Sequence, residues 1–124
     1  MTDILEYKTV TESEVGAWIK VAAVADFPAN GGVCADHKGL QVAVFNFSRR
    51  DEWYATQNLC PHKKQMILSR GMLGSSGEEP KVACPFHKQT FSLKNGNNLN
   101  GDHCALATYP VKVEEGYVYV GFKN

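Results

Sequence analysis

Four residues of this 124-residue chain have the types and the spacing to do chemistry together: Cys60 and His62 in Cys60-Pro61-His62, and Cys84 and His87 in Cys84-Pro85-Phe86-His87. A thiolate is a soft anionic ligand and a neutral imidazole a borderline one, so two of each suit zinc or an iron–sulfur centre and ill suit calcium or magnesium. The order also carries information. In the common DNA-binding zinc finger two cysteines come first and two histidines follow, whereas here each short stretch supplies one Cys and then one His. Cys-Pro is an ordinary turn dipeptide as well, and a histidine near a cysteine is often just a satisfied core or surface group. With only four cysteines and four histidines in the chain, both offsets arising by accident is on the order of a one per cent event, which favours the metal reading.

One Cys and one His from each stretch match the Rieske arrangement, in which two cysteines hold one iron of a [2Fe–2S] cluster and two histidines hold the other. Cys60-x-His62 and Cys84-Pro-x-His87, with Phe91 four residues after the second histidine, resemble the two loops of Rieske ferredoxin-type proteins. More narrowly, Leu68-Ser69-Arg70-Gly71 between the loops and Lys88-Gln89-Thr90-Phe91 after them resemble the small subunit of NAD(P)H-dependent nitrite reductase. The resemblance runs from about Trp18 to Phe122. It implies that Cys60, His62, Cys84 and His87 bind a Rieske [2Fe–2S] cluster. It also implies a large partner subunit carrying flavin, a [4Fe–4S] cluster and sirohaem, which reduces nitrite to ammonium in nitrate assimilation. The chain would then be an oxidoreductase only as a subunit, relaying electrons or stabilising the assembly. Two features depart from the general Rieske pattern: Lys88 stands where glycine usually follows the second histidine, and residues 63 to 83 form a longer spacer than usual.

The ligand set bears on the potential. Two ferric ions, two sulfides and two thiolates leave an oxidised centre neutral, whereas four thiolates would leave it dianionic. Adding an electron to a neutral centre costs less, which places Rieske potentials within roughly −150 to +300 mV, above those of all-cysteine ferredoxins. Position within that range depends on hydrogen bonds to the sulfurs and on solvent access. High-potential Rieske proteins resemble one another in an extra cysteine pair bridging the loops and in Ser and Tyr hydroxyls aimed at the sulfurs. Phe86, Gln89 and Phe91 occupy the corresponding positions here, so a potential near the low end is expected.

The chain shows no Gly-x-Gly-x-x-Gly after a strand, no phosphate loop and no obvious nucleophile–base pair, so no catalytic residues of its own and no nicotinamide site are expected. It reads as a component. Two other functions stay open: a free Rieske ferredoxin serving an aromatic-ring dioxygenase, and a zinc or purely structural module.

Length allows one domain, residues 1–124, with a core of ordinary size and room for one centre. Lys and Arg total 13 against 13 Asp and Glu, so no overall field attracts nucleic acid or an anionic membrane. The N-terminus Met1-Thr2-Asp3-Ile4-Leu5-Glu6 lacks the basic start and apolar run of a signal peptide, and the longest apolar stretch is Val21 to Ala25. Neither export nor a membrane span is expected. With two of the four cysteines better used beside histidines, a reducing cytoplasm is the expected location.

Positioning the four ligands falls to short strands, because the hydrophobic period is two far more often than three or four. Gln41–Phe47 reads as a largely buried strand and Trp53–Thr56 as the strand feeding the first loop. Lys81–Ala83 leads into the second loop. Thr90–Leu93 alternates into Asn95-Gly96, a tight-turn signal, and Val111–Val113 pairs with Val118–Val120 across Glu115-Gly116. Thr11-Glu12-Ser13-Glu14 is a capping box with too little periodic sequence behind it for more than a short helical turn. The expected fold is all-β, a Rieske-like antiparallel sandwich or small barrel, with residues 60 to 91 as a cluster-binding subdomain of two loops. Gly74–Glu79, polar and glycine-rich, reads as a mobile loop.

Several residues are left over. Cys34-x-x-His37 and His103-Cys104 permit a second metal site, but adjacent strand residues point to opposite faces, and buried thiols with ordinary histidines are the simpler reading. Lys63, Lys64, Arg70, Lys81 and Lys88 cluster on or beside the loops, either as a docking face for an acidic partner or as solvated loop charges. Met66, Ile67, Leu68, Met72 and Leu73 either roof the cluster or belong to the core.

Overall fold

The computed structural model describes residues 8–37, 39–48, 51–60, 65–76, 78–85, 90–99 and 105–123. Twelve strands run through them: β1 (Ala17–Ala23), β2 (Gly31–His37), β3 (Leu40–Phe47), β4 (Glu52–Gln57), β5 (Leu59–Cys60), β6 (Gln65–Met66), β7 (Met72–Ser76), β8 (Glu79–Ala83), β9 (Thr90–Ser92), β10 (Thr108–Tyr109), β11 (Val111–Glu114) and β12 (Tyr117–Phe122). Helix is limited to three 3₁₀ turns among the described residues, Glu12–Glu14, Val24–Asp26 and Leu68–Arg70. Every strand pairing is antiparallel. The all-β expectation holds.

Two sheets, β1-β12-β11 and β10-β4-β3-β2, form the frame; a two-stranded ribbon β5-β6 and a three-stranded sheet β7-β8-β9 stand beside it. β3 is the hinge of this arrangement because both of its faces are buried. Val42 and Val44 point into a core with Ala55, Tyr109, Val118, Val120 and Phe122. Ala43, Phe45 and Phe47, one residue out of phase, point into a second core with Leu68, Val82, Phe91, Leu93, Leu106 and both Cys60 and Cys84. Period two is what sends alternate residues to opposite faces, so one strand can line two cores. The run Val42-Ala43-Val44-Phe45 has no polar alternation because all four residues are fully buried.

Local chemistry accounts for the turns. Glu115 and Gly116 join β11 to β12 with φ of 52° and 83°, the pair of positive values that a two-residue hairpin turn matched to strand twist requires. Thr11 donates its backbone N–H to Glu14 Oε1 at 3.0 Å, closing the expected capping box around a single turn.

Three features differ from the sequence reading. β1 and β2 precede the first strand expected. Their side chains are mostly half-buried, and their Ala- and Gly-rich composition blunts the alternation that would reveal them. Gly74–Glu79 is largely a ladder rather than a loop, with Ser75 paired to Pro80 and Ser76 to Glu79 between β7 and β8, while Gly77 lies outside the described residues. That hairpin fills much of the long spacer between the two ligand motifs. Finally, Trp53–Thr56 does not run directly into the first ligand motif, because Asn58 breaks the ladder between β4 and the short β5.

Candidate metal centre

Cys60 is the last residue of β5, and Cys84 follows directly on the end of β8. Each cysteine is thus held by a different antiparallel pair, β5-β6 and β7-β8. Both are buried, at 0% and 1% exposure. Cys84 Sγ–H points at Cys60 Sγ across 3.4 Å. A disulfide would need about 2.05 Å, and the two are not joined by one. Two thiolates on one tetrahedral metal with bonds of about 2.3 Å sit roughly 3.8 Å apart, so the two sulfurs lie close to the separation that a shared iron or zinc imposes. The donor pair fits such a metal.

Both cysteines belong to the second core together with Leu68, Val82 and Phe91, all fully buried. The apolar backing keeps water from the sulfur side. Two close approaches bind the pieces together. The 3₁₀ turn Leu68–Arg70 lies over β2, where a Cβ on Gly32 would come within 2.7 Å of the Ser69 carbonyl oxygen. Gly71 lies against β8, where a Cβ would come 2.5 Å from the Ala83 carbonyl oxygen, one residue before Cys84. The Leu68-Ser69-Arg70-Gly71 motif is therefore a clamp between the frame and the second cysteine's hairpin.

His62 and His87 lie outside the described residues, as do Lys63, Lys64, Phe86, Lys88 and Gln89. Of the remaining loop cations, Arg70 is exposed and Lys81 half-buried. The five apolar residues of the spacer divide. Leu68 belongs to the core, and Ile67 and Leu73 pack against it. Met66 and Met72 stand out at 39% and 77% exposure. Met66 pairs with Leu59 and Met72 with Ala83, so each lies across its ladder from the residue preceding a site cysteine.

A second site on Cys34 and His37 is not assembled. Three apart on an extended strand, they face opposite ways: the Cys34 residue is partly exposed while its thiol, turned toward Asn58, donates to Gln41 Oε1 at 3.5 Å, and the His37 ring stacks on Phe122 with centroids 4.2 Å apart. Burial, and secondarily the nearby Asp36 carboxylate, push the Cys34 thiol above its ordinary pKa, which favours the inert neutral form. His103 and Cys104 lie outside the described residues. No described helix is long and apolar enough to cross a membrane.

The profile of the Rieske-like [2Fe–2S] domain matches residues 17–121. This chain belongs to that family. Among its Rieske-like relatives, the nitrite reductase (NADH) small subunit of Salmonella typhimurium is 32% identical over 101 residues, covering 82% of this chain and 94% of the relative. The nitrite reductase [NAD(P)H] large subunit of Klebsiella oxytoca is 38% identical over 104 residues. This chain spans only 11% of that relative's length, so the same Rieske-like domain occurs both as a separate chain and within a much longer one. Among solved structures, the Escherichia coli protein NirD superposes with a TM-score of 0.78 at 29% identity, covering 87% of this chain and 98% of NirD.

Proposed function

We propose that this chain is the electron-transfer small subunit of an NAD(P)H-dependent nitrite reductase, holding a Rieske [2Fe–2S] cluster on Cys60, His62, Cys84 and His87. It forms one domain over residues 1–124, with residues 60–91 as the cluster-binding subdomain. The observation that carries this reading is the 3.4 Å approach of two buried thiols from two separate hairpins, in a member of a [2Fe–2S] domain family. Support for the nitrite reductase context comes from the small subunits that the chain matches nearly end to end.

When bound, such a cluster accepts and returns one electron at a time. The residues of the chain do the rest. Cys60 and Cys84 would hold such a cluster through their thiolates. The apolar wall of Leu68, Val82 and Phe91 withholds water from them, and limited solvation of charge is one of the determinants of potential. As neutral imidazoles, His62 and His87 would leave such an oxidised cluster uncharged, which eases its reduction. Nitrite reduction itself belongs to a large partner subunit with flavin, [4Fe–4S] and sirohaem centres, and the assembly works in the cytoplasm.

Iron and acid-labile sulfide analysis on anaerobically prepared protein tests the cluster, with two of each per chain expected. One zinc per chain, or no metal, would overturn it in favour of a structural module. Co-purification with a sirohaem protein tests the context. Turnover with an aromatic-ring oxygenase and no sirohaem partner would replace this reading by that of a free ferredoxin.

A further inference from the structure

Asn58 lies two residues before Cys60 and is 1% exposed. All of its hydrogen-bonding groups are engaged. Its N–H donates to the Gln41 carbonyl at 2.9 Å, and its own carbonyl accepts from the N–H groups of Ile67 and Leu68 at 3.0 and 3.1 Å. The side-chain Oδ1 accepts from Ser69 N–H at 2.7 Å. The Nδ2 group donates to Gln41 Oε1 at 3.3 Å and to Cys34 Sγ at 3.4 Å.

This one residue therefore takes up three successive N–H groups at the start of the 3₁₀ turn Leu68–Arg70, donors that a helical turn leaves without partners of its own. The Asn58–Ile67 bond also closes the base of the β5-β6 hairpin, since that hairpin runs from Leu59 to Met66. The amide end ties the same point to β2 through Cys34 and to β3 through Gln41. Beyond the 3₁₀ turn, Gly71 abuts Ala83 beside Cys84. Asn58 is the node through which the hairpin of Cys60 is held in register with the hairpin of Cys84.

We infer that Asn58 is the positioning residue of the centre: through its Oδ1 bond to Ser69 N–H it holds Cys60 Sγ at ligating distance from Cys84 Sγ. An aspartate keeps an acceptor for Ser69 N–H but sets a second acceptor against Gln41 Oε1 and a carboxyl group in a buried position, whereas alanine loses the Ser69 bond and the donors to Gln41 and Cys34 alike. The inference rests on the cluster reading proposed above for its first readout and not for its second.

The test compares Asn58→Ala, Asn58→Asp and Val118→Ala, the last a cavity variant in the other core, each measured at the same interval below its own melting temperature. The first readout is release of iron from the reconstituted protein to a chelator. The second is alkylation of Cys60 by a maleimide in the metal-free chain, followed by peptide mass spectrometry. N58A is expected to accelerate both at least tenfold, V118A to stay within twofold of wild type, and N58D to recover to within threefold. Equal rates for N58A and V118A, or N58D as fast as N58A, would overturn the inference. If N58A does not fold, Asn58→Ser, whose shorter hydroxyl falls short of Ser69 N–H, is read by the same comparison. Wild-type protein that takes up no iron and sulfide would sink the cluster reading alone, because the alkylation readout still decides the role of Asn58.

Discussion

Val44 and Phe45 are consecutive on β3 and both wholly buried, yet they belong to different cores: Val44 packs with Val118 and Val120, and Phe45 with Cys60 and Cys84. A strand with two dry faces makes the frame and the metal centre share a single backbone. Substitutions on its two faces should then separate stability from metal retention.

Phe45→Ala is expected to cost about 3–5 kcal/mol, the range for truncating a buried aromatic, and to quicken iron loss as well. Val44→Ala should lower stability while leaving iron retention near wild type once compared at equal distance from melting. Urea unfolding and chelator-driven iron release check the pair. Parallel effects of both variants on iron release would contradict the division into two cores.

Cys84→Ser and Cys60→Ser each remove one sulfur donor from the 3.4 Å pair while nearly conserving volume. Either variant should fold with the wild-type far-ultraviolet spectrum and bind no [2Fe–2S] cluster, so that iron falls from two per chain to none. Retention of the visible absorption of a Rieske centre by either variant would remove that cysteine from the ligand set.

Gly71→Ala places a methyl group against the Ala83 carbonyl, a backbone atom that cannot rotate aside. Overpacking of this kind costs about 1–3 kcal/mol, and the strain falls on the strand that leads directly into Cys84. Lower thermal stability together with faster cluster loss is expected. A neutral outcome in both measurements would show that the clamp yields freely.

Burial first, and Asp36 second, raise the pKa of the Cys34 thiol. The folded state therefore holds this proton more tightly than the unfolded chain does. The resulting stabilisation is complete below the ordinary thiol pKa and is lost as pH rises through the raised folded value. Iodoacetamide at mildly alkaline pH should modify Cys34 more slowly than the same cysteine in urea-unfolded protein. Asp36→Asn should recover only the smaller part of the difference. A folded-state rate equal to the unfolded one would refute the shift.

The reduction midpoint of the reconstituted centre is expected near the low end of roughly −150 to +300 mV, because the described side chains packed with Cys60 and Cys84 include the apolar Leu68, Val82 and Phe91. Redox titration followed by electron paramagnetic resonance measures it, and a strongly positive value would show that other donors reach the sulfurs.

The donor types of the candidate centre are legible in the string of residues because ligand chemistry is local. Cys-x-His and Cys-Pro-x-His state their donor types and spacing without reference to the fold, and Glu115-Gly116 and Thr11–Glu14 announce a turn and a cap through backbone preferences of their own. The strands around Val42–Phe47 and Val118–Val120 were equally readable from their apolar content. What sequence could not show depends on partners distant along the chain. β1 and β2 are strands through pairing with β12 and β3 rather than through their own alternation. Gly74–Glu79 looks like a loop until its two halves form a ladder. The role of Asn58 exists only where Gln41, Cys34 and the 67–69 backbone converge on it, and nothing in an isolated asparagine signals that. Residue type determined which chemistry is available to this protein; the distance between two sulfurs from separate hairpins was decided only by packing, because a separation in space is a property of the folded chain.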